Sequence, residues 1–341
     1  MVKLSLRLSL LLVVLFNSCV DSESINSYKP AYTGRQGEIV IVAPKAVWAL
    51  DETNFLKRGV LGFFPGLPAD EPMFTTVEVN KEAFSEVFKT HRNLLEFRID
   101  PSNELNVVKR KNVYAKNQLH IIITFNSSKE LQTFSGSGLS TILKEFHRAE
   151  IDRLVSRNLT FGNKDLNKDV SEITGVSIIL QEGVALAKTT SDNTVWLRID
   201  REKPVGGLQH QINQGILIYS RPYTDTLQFS DSSLLAWKSK INKALVVGPK
   251  ESYMSISDRY IPPNVTIINY NKSVAKEIRG LWRMGGVKGV FMGGPFYSLA
   301  FYNDTNKKQY MVEGYVYGPQ FNKRAFIREI EAMVKSVRPL Q

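Results

Sequence analysis

The chain has 341 residues, 43% hydrophobic and 23% charged, with a formal net charge of +11. That composition excludes a disordered polymer and suits about two globular domains at ~150 residues each. One cysteine excludes an internal disulfide, and the basic balance admits nucleic acid, anionic polymers or lipid headgroups as partners.

Residues 1–18 open with Lys3 and Arg7 and continue through the apolar run LSLLLVVLF. The run has the length of a signal-peptide core and falls short of the ~20 residues that cross a bilayer. Cys19 follows Phe16, Asn17 and Ser18, which resemble a loose lipobox. The resemblance implies lipidation of Cys19 as the first mature residue, and so a membrane partner engaged through acyl chains. Val20 stands where an Asp would retain a lipoprotein at the inner membrane. The expected location is therefore the outer membrane of a bacterial envelope, facing the periplasm or the surface. Residues 19–36 are polar, rich in Ser and Asn, and read as a flexible tether. Five Asn-x-Ser/Thr sequons, at Asn126, Asn158, Asn264, Asn271 and Asn303, carry no weight in a bacterial chain. For an exported protein the basic charge fits anionic envelope polymers or lipid headgroups, or an excess with no specific partner; the expected partners are an envelope protein or an anionic envelope ligand, not nucleic acid.

Residues 37–160 form the first expected domain. Glu38 to Ala43 reads as a strand buried on both faces. Phe55, Leu56, Val60 and Phe63 recur at helical spacing until Pro65, Gly66 and Pro68 intervene. Strands are expected over 74–79, 94–99 and 119–125, with a short one around Lys109, Arg110 and Lys111 and a short helix at Phe84, Val87 and Phe88. Leu139, Ile142, Leu143, Phe146 and Ala149 mark a helix running to about Val155.

Residues 161–341 form the second. A polar crossover occupies 158–175, followed by strands at 177–180 and 195–199, a polar loop GGLQHQINQ, and a strand at 216–219. Ser230 or Asp231 caps a helix carrying Leu234, Leu235, Trp237, Ile241, Ala244 and Leu245. Three strands follow, over 276–284, 296–302 and 309–317, the last two joined by the turn residues Asn303, Asp304, Thr305 and Asn306. Phe326, Ile327, Ile330, Met333, Val334 and Val337 define a closing helix. The fold class is α+β: two α/β sandwich domains, the second an antiparallel sheet packed with helices.

The element order over 176–338 resembles the PsbP-like fold. Closer is the resemblance to a family of uncharacterised Bacteroidetes lipoproteins with a domain of unknown function. It is carried by FKTHRN (88–93), QGILIYSRPYTD (214–225), ESYM (251–254), RGLWRM (279–284), FMGGPF (291–296) and EGYVYGP (313–319). It implies a lipoprotein of two parts and brings no catalytic residue, cofactor or metal.

The chain contains no HExxH, CxxC, GxSxG or P-loop motif, and its four histidines lack metal-ligand spacing. His120 and His147 read as structural. His91 and Arg92 sit between a helix and a strand, where a loop could present them to a ligand. Arg279 and Arg283 share a face of one strand, Glu313 and Tyr315 a face of another, and Arg221 and Tyr223 follow a third. Together they read as a polar binding face, or as internal ion pairs such as Glu277 with a neighbouring arginine. The glycines between 285 and 294 read as a lid or as a connection needing unusual dihedrals. The expected role is a binding, accessory or assembly factor; the alternative is an envelope-polymer hydrolase with a dispersed acid/base site.

Overall fold

The computed structural model describes residues 28–49, 62–135, 137–258 and 261–340. Cys19, the apolar leader and the stripe of Phe55, Leu56 and Val60 lie outside them. The first unit contains β1 (Glu38–Ala43), α1 (Lys45–Trp48), β2 (Thr75–Asn80), α2 (Glu86–Lys89), β3 (Asn93–Ile99), β4 (Asn106–Lys111), β5 (Leu119–Phe125), α3 (Ser128–Ser135) and α4 (Ser137–Phe161). The strand order is β2-β1-β3-β5-β4, parallel except for β4 at the edge. β1 buries five consecutive residues, as a central parallel strand must. Leu139, Ile142, Leu143 and Phe146 of α4 close one face over Ile39, Ile41, Leu95, Phe97, Ile121 and Ile123. Lys109 to Lys111 lie on the exposed edge, where charge discourages pairing with another chain.

The second unit contains α5 (Lys164–Thr174), β6 (Val176–Ser177), β7 (Ala185–Thr189), β8 (Val195–Val205), β9 (Leu208–Pro222), α6 (Asp231–Leu245), β10 (Tyr253–Ser257), β11 (Asn264–Tyr270), β12 (Ser273–Gly285), β13 (Gly293–Asn303), β14 (Lys308–Tyr317), α7 (Arg324–Lys335) and β15 (Arg338–Pro339). Eight strands form one antiparallel sheet in the order β10-β12-β13-β14-β9-β8-β7, with β11 also on β12. Alternation splits it into two faces. Ala275, Tyr297, Leu299, Val312 and Ile216 pack under α5 and α7. Ile278, Trp282, Phe296, Met311 and Leu217 pack under α6. α7 lies against β14 at Gly314, where a Cβ would meet Ile330 Cγ2 at 2.5 Å.

Four local differences from the sequence reading have physical causes. The polar GGLQHQINQ stretch is no loop: Gly206 and Gly207, both at positive φ, turn a hairpin whose β9 arm begins at Leu208. Its hydrophobic alternation is hidden because the arm projects beyond its other neighbours and both its faces meet water. The strand expected at 177–180 shrinks to the two residues of β6, paired with β15 at the C-terminus. α4 continues to Phe161, and Gly162 ends it where a Cβ would lie 2.0 Å from Leu180 O. Residues 28–36, expected as tether, lie on the first unit, with Ala31 bridged to Lys116 and Thr33 to His91.

Candidate functional site

The two units meet along α4 and α7. α7 has no side-chain cap of its own; instead the Glu71 carboxylate of the first unit accepts from Lys323 N at 2.6 Å and Arg324 N at 2.9 Å. A carboxylate at a helix N-terminus satisfies orphan amides and opposes the helix dipole. Ile151 and Leu154 of α4 pack on Ala332. Beside this seam opens a recess of about 1480 Å³, bounded by α4, by Phe64 and Pro65, and by β11, β12 and α7.

Charged groups from both units converge on its floor. The fully buried Glu331 accepts from Arg279 at 2.6 Å, Lys335 at 2.8 Å and His147 Nε2 at 3.0 Å. Lys335 also reaches Glu277 at 2.9 Å, and Glu277 takes the Tyr297 hydroxyl at 2.8 Å. Arg328, 0% exposed, donates to Met73 O and approaches His147 Nδ1 at 3.4 Å. With Nδ1 facing that donor, the ring proton sits on Nε2, toward Glu331. Phe64 covers the group, edge-on to His147 at 5.5 Å and within cation-π range of Arg328 and Arg279. Burial alone would raise the Glu331 carboxyl, but Arg279, His147 and Lys335 outweigh it and hold it well below the carboxylate range. Burial lowers the Arg328 guanidinium to about 10.

Above this floor the walls differ in chemistry. Lys144 and Arg148, one turn apart on the exposed side of α4, have no ion-pair partner among the described residues. Leu143, Ile151, Val155, Ile179 and Ile268 supply apolar wall; Thr266, Asn269 and Asn271 supply hydrogen-bonding groups on the opposite side. The recess can therefore hold a molecule with an anionic end and an apolar body.

The residues singled out in the sequence do not form one face. Arg279 points to the seam, whereas Glu313 pairs with Ser298 one register step away and lies under α6. There Glu313 and Lys238, 1% exposed, form a buried ion pair, and Tyr315 accepts from Trp196 Nε1 at 3.2 Å. Arg221 is committed to Gln309 at 2.7 Å and Gln228 O at 2.9 Å and stacks on Trp237 at 4.2 Å. Tyr223 lies against Tyr302, the two rings tilted at 47° with centroids 4.5 Å apart. Arg283 is exposed. His91 and Arg92 are not presented to solvent: each is 6% exposed, His91 facing Glu38 at 2.8 Å and Arg92 facing Glu150 at 2.9 Å. Their acidic partners come from distant segments, which a local reading cannot place. His120 likewise meets Glu96 at 3.1 Å. Sequence reasoning missed His147 as a site residue, together with Arg328, Glu331 and Lys335. The signal available was the charged row Arg328, Glu331, Lys335 at spacings of three and four, on a helix whose other face is apolar.

Among the described residues no three His, Cys, Asp or Glu side chains gather as a metal site, and no helix is long and apolar enough to cross a membrane. The molecule is thus an α+β protein of two units sharing one charged seam. Over residues 163–336, more than half its length, it matches the domain of unknown function DUF4837, and the chain belongs to that family. Residues 33–159 match a second domain of unknown function, DUF8532. No curated protein matches the chain.

Proposed function

We propose that this is a lipid-anchored accessory protein of the cell envelope that captures an anionic, partly apolar ligand in the recess between its units. The uncommitted Lys144 and Arg148, set over an apolar wall and a prepaired ionic floor, carry this reading. Cations free of internal acids cost little to redirect onto a ligand, while the floor pairs keep the cleft's shape. The lipobox-like segment before Cys19 supports anchoring, and Val20 supports the outer membrane. A glycosidase working through paired carboxylates would need one of them held protonated as general acid. Glu331, the buried carboxylate of the floor, is pulled the opposite way.

The test places a photo-crosslinking residue at Ser140 or Ser156, both on the recess wall, and at the exposed Leu186 as a control. Irradiated cells should yield an anionic adduct from the two wall positions only, and Lys144→Glu with Arg148→Glu should abolish it. Equal adducts from all three positions, or survival in the double variant, would overturn the reading. Separately, Cys19→Ser should move the chain out of the membrane fraction; an unchanged distribution would remove the anchor from the proposal.

A further inference from the structure

The glycine-rich connection between β12 and β13 takes no part in the recess, yet it presents the most exposed large hydrophobic side chain among the described residues. Phe291 is 95% exposed, with Val287 at 37% beside it. The loop is nonetheless firmly built. Met284 N donates to Met292 O at 2.8 Å across its base, and Val290 and Met292 pack on the core under α6. Gly286 and Gly289 hold positive φ, and a Cβ on Gly286 would lie 2.5 Å from the Tyr253 ring. At the far end a Cβ on Gly294 would lie 2.0 Å from Val316 O. The glycines therefore fix the shape of the loop and hold Phe291 outward, whereas a merely slack connection would let it fold back onto the core.

The charges around it are mostly positive. From Ile278 to Asn303 the chain has no acidic residue, and Lys288 and Arg283 are exposed. Lys243 approaches Tyr253, the strand neighbour of the loop, at 4.7 Å from its ring. The adjoining turn Pro249–Glu251 adds Lys250 and the acid Glu251. An outward aromatic ringed by mostly cationic side chains matches a surface that is anionic outside and apolar just beneath.

We propose that the loop from Gly286 to Met292 is a membrane-contacting surface that seats Phe291 below the headgroups of an anionic leaflet, with Lys288 and Arg283 against lipid phosphates. It is independent of the cleft and does not require the anchor on Cys19. One ring and a few cations give weak, reversible binding, so the loop sets orientation more than residence.

The chain from residue 28 onward, which holds both units and their seam, is tested by co-sedimentation with vesicles. Binding should appear on phosphatidylcholine vesicles containing 30% phosphatidylglycerol, and weaken with salt. Phe291→Ser and Lys288→Glu should each lower the partition coefficient at least about fivefold, with unchanged thermal midpoints because both sites are exposed. No binding to anionic vesicles, or equal binding of Phe291→Ser, would overturn the proposal. So would a Phe291-dependent self-association without vesicle binding, which would make the loop a protein contact.

Discussion

The two arginines that one strand presents on the same side differ sharply in what surrounds them. Arg279 meets Glu331 and Tyr297 inside the seam, and Arg283 stands in water. Removing one member of a buried ionic group leaves the others uncompensated and costs about 3–5 kcal/mol, whereas an exposed charge costs within about 0.5 kcal/mol. Arg279→Ala should accordingly lower the urea midpoint strongly and Arg283→Ala hardly at all; equal effects would contradict the described burial. Glu331→Gln should behave like Arg279→Ala. Acid stability has its own residue. Burial tends to raise Glu96, but hydrogen bonds from His120 and Arg98 and the Arg98 charge bring it to about 2. Its folded value is below its unfolded one, so its contribution is complete above the unfolded value near 4.5 and disappears as pH falls toward 2. Glu96→Gln should flatten the fall in stability across that window, as read from denaturant midpoints at successive pH values. These partnerships were hidden in the sequence because ionic partners lie far apart: Arg92 pairs with Glu150, and His147 with Glu331.

At the scale of elements, the sequence was most legible where one face is apolar and the other is not. α7 carries its stripe openly, and the strands at 276–284, 296–302 and 309–317 extend by only a few residues in β12, β13 and β14. β7 could not be read, since all five of its residues are exposed and show no alternation. β10 and β11 each pair with one half of β12, so each is short and only partly buried. The recess could not be read either, because its walls come from helices and strands more than a hundred residues apart. The capping of α7 belongs to this scale. Glu71→Ala removes the acceptor of two helix amides and should cost about 0.5–2 kcal/mol, the range of N-cap losses. Gly314→Val should cost at least as much by forcing α7 off β14. Thermal or urea unfolding of each variant decides both.

For the whole molecule, the seam couples two units that sequence families describe separately. Glu71, Met73 and Phe64 of the first unit satisfy or cover α7 of the second. The two should therefore unfold in one transition. Trp48 reports on the first unit, and Trp196, Trp237 and Trp282 on the second. Fluorescence of single-tryptophan variants should give coincident midpoints, and a chain starting at residue 163 should unfold at lower denaturant than the full one. Separate midpoints in the full chain would show that the seam transmits little.

The bridges of Ala31 to Lys116 and of Thr33 to His91 also set a length. With the chain pinned at Ala31, the lipid proposed on Cys19 would be separated from the first unit by 12 residues, about 40 Å even when drawn straight. Such a leash is short compared with the reach of a long linker. A protein held by the proposed anchor would stay beside its own membrane, would sample ligands that lie in or travel along that surface, and would leave the opposite membrane of the envelope to other partners.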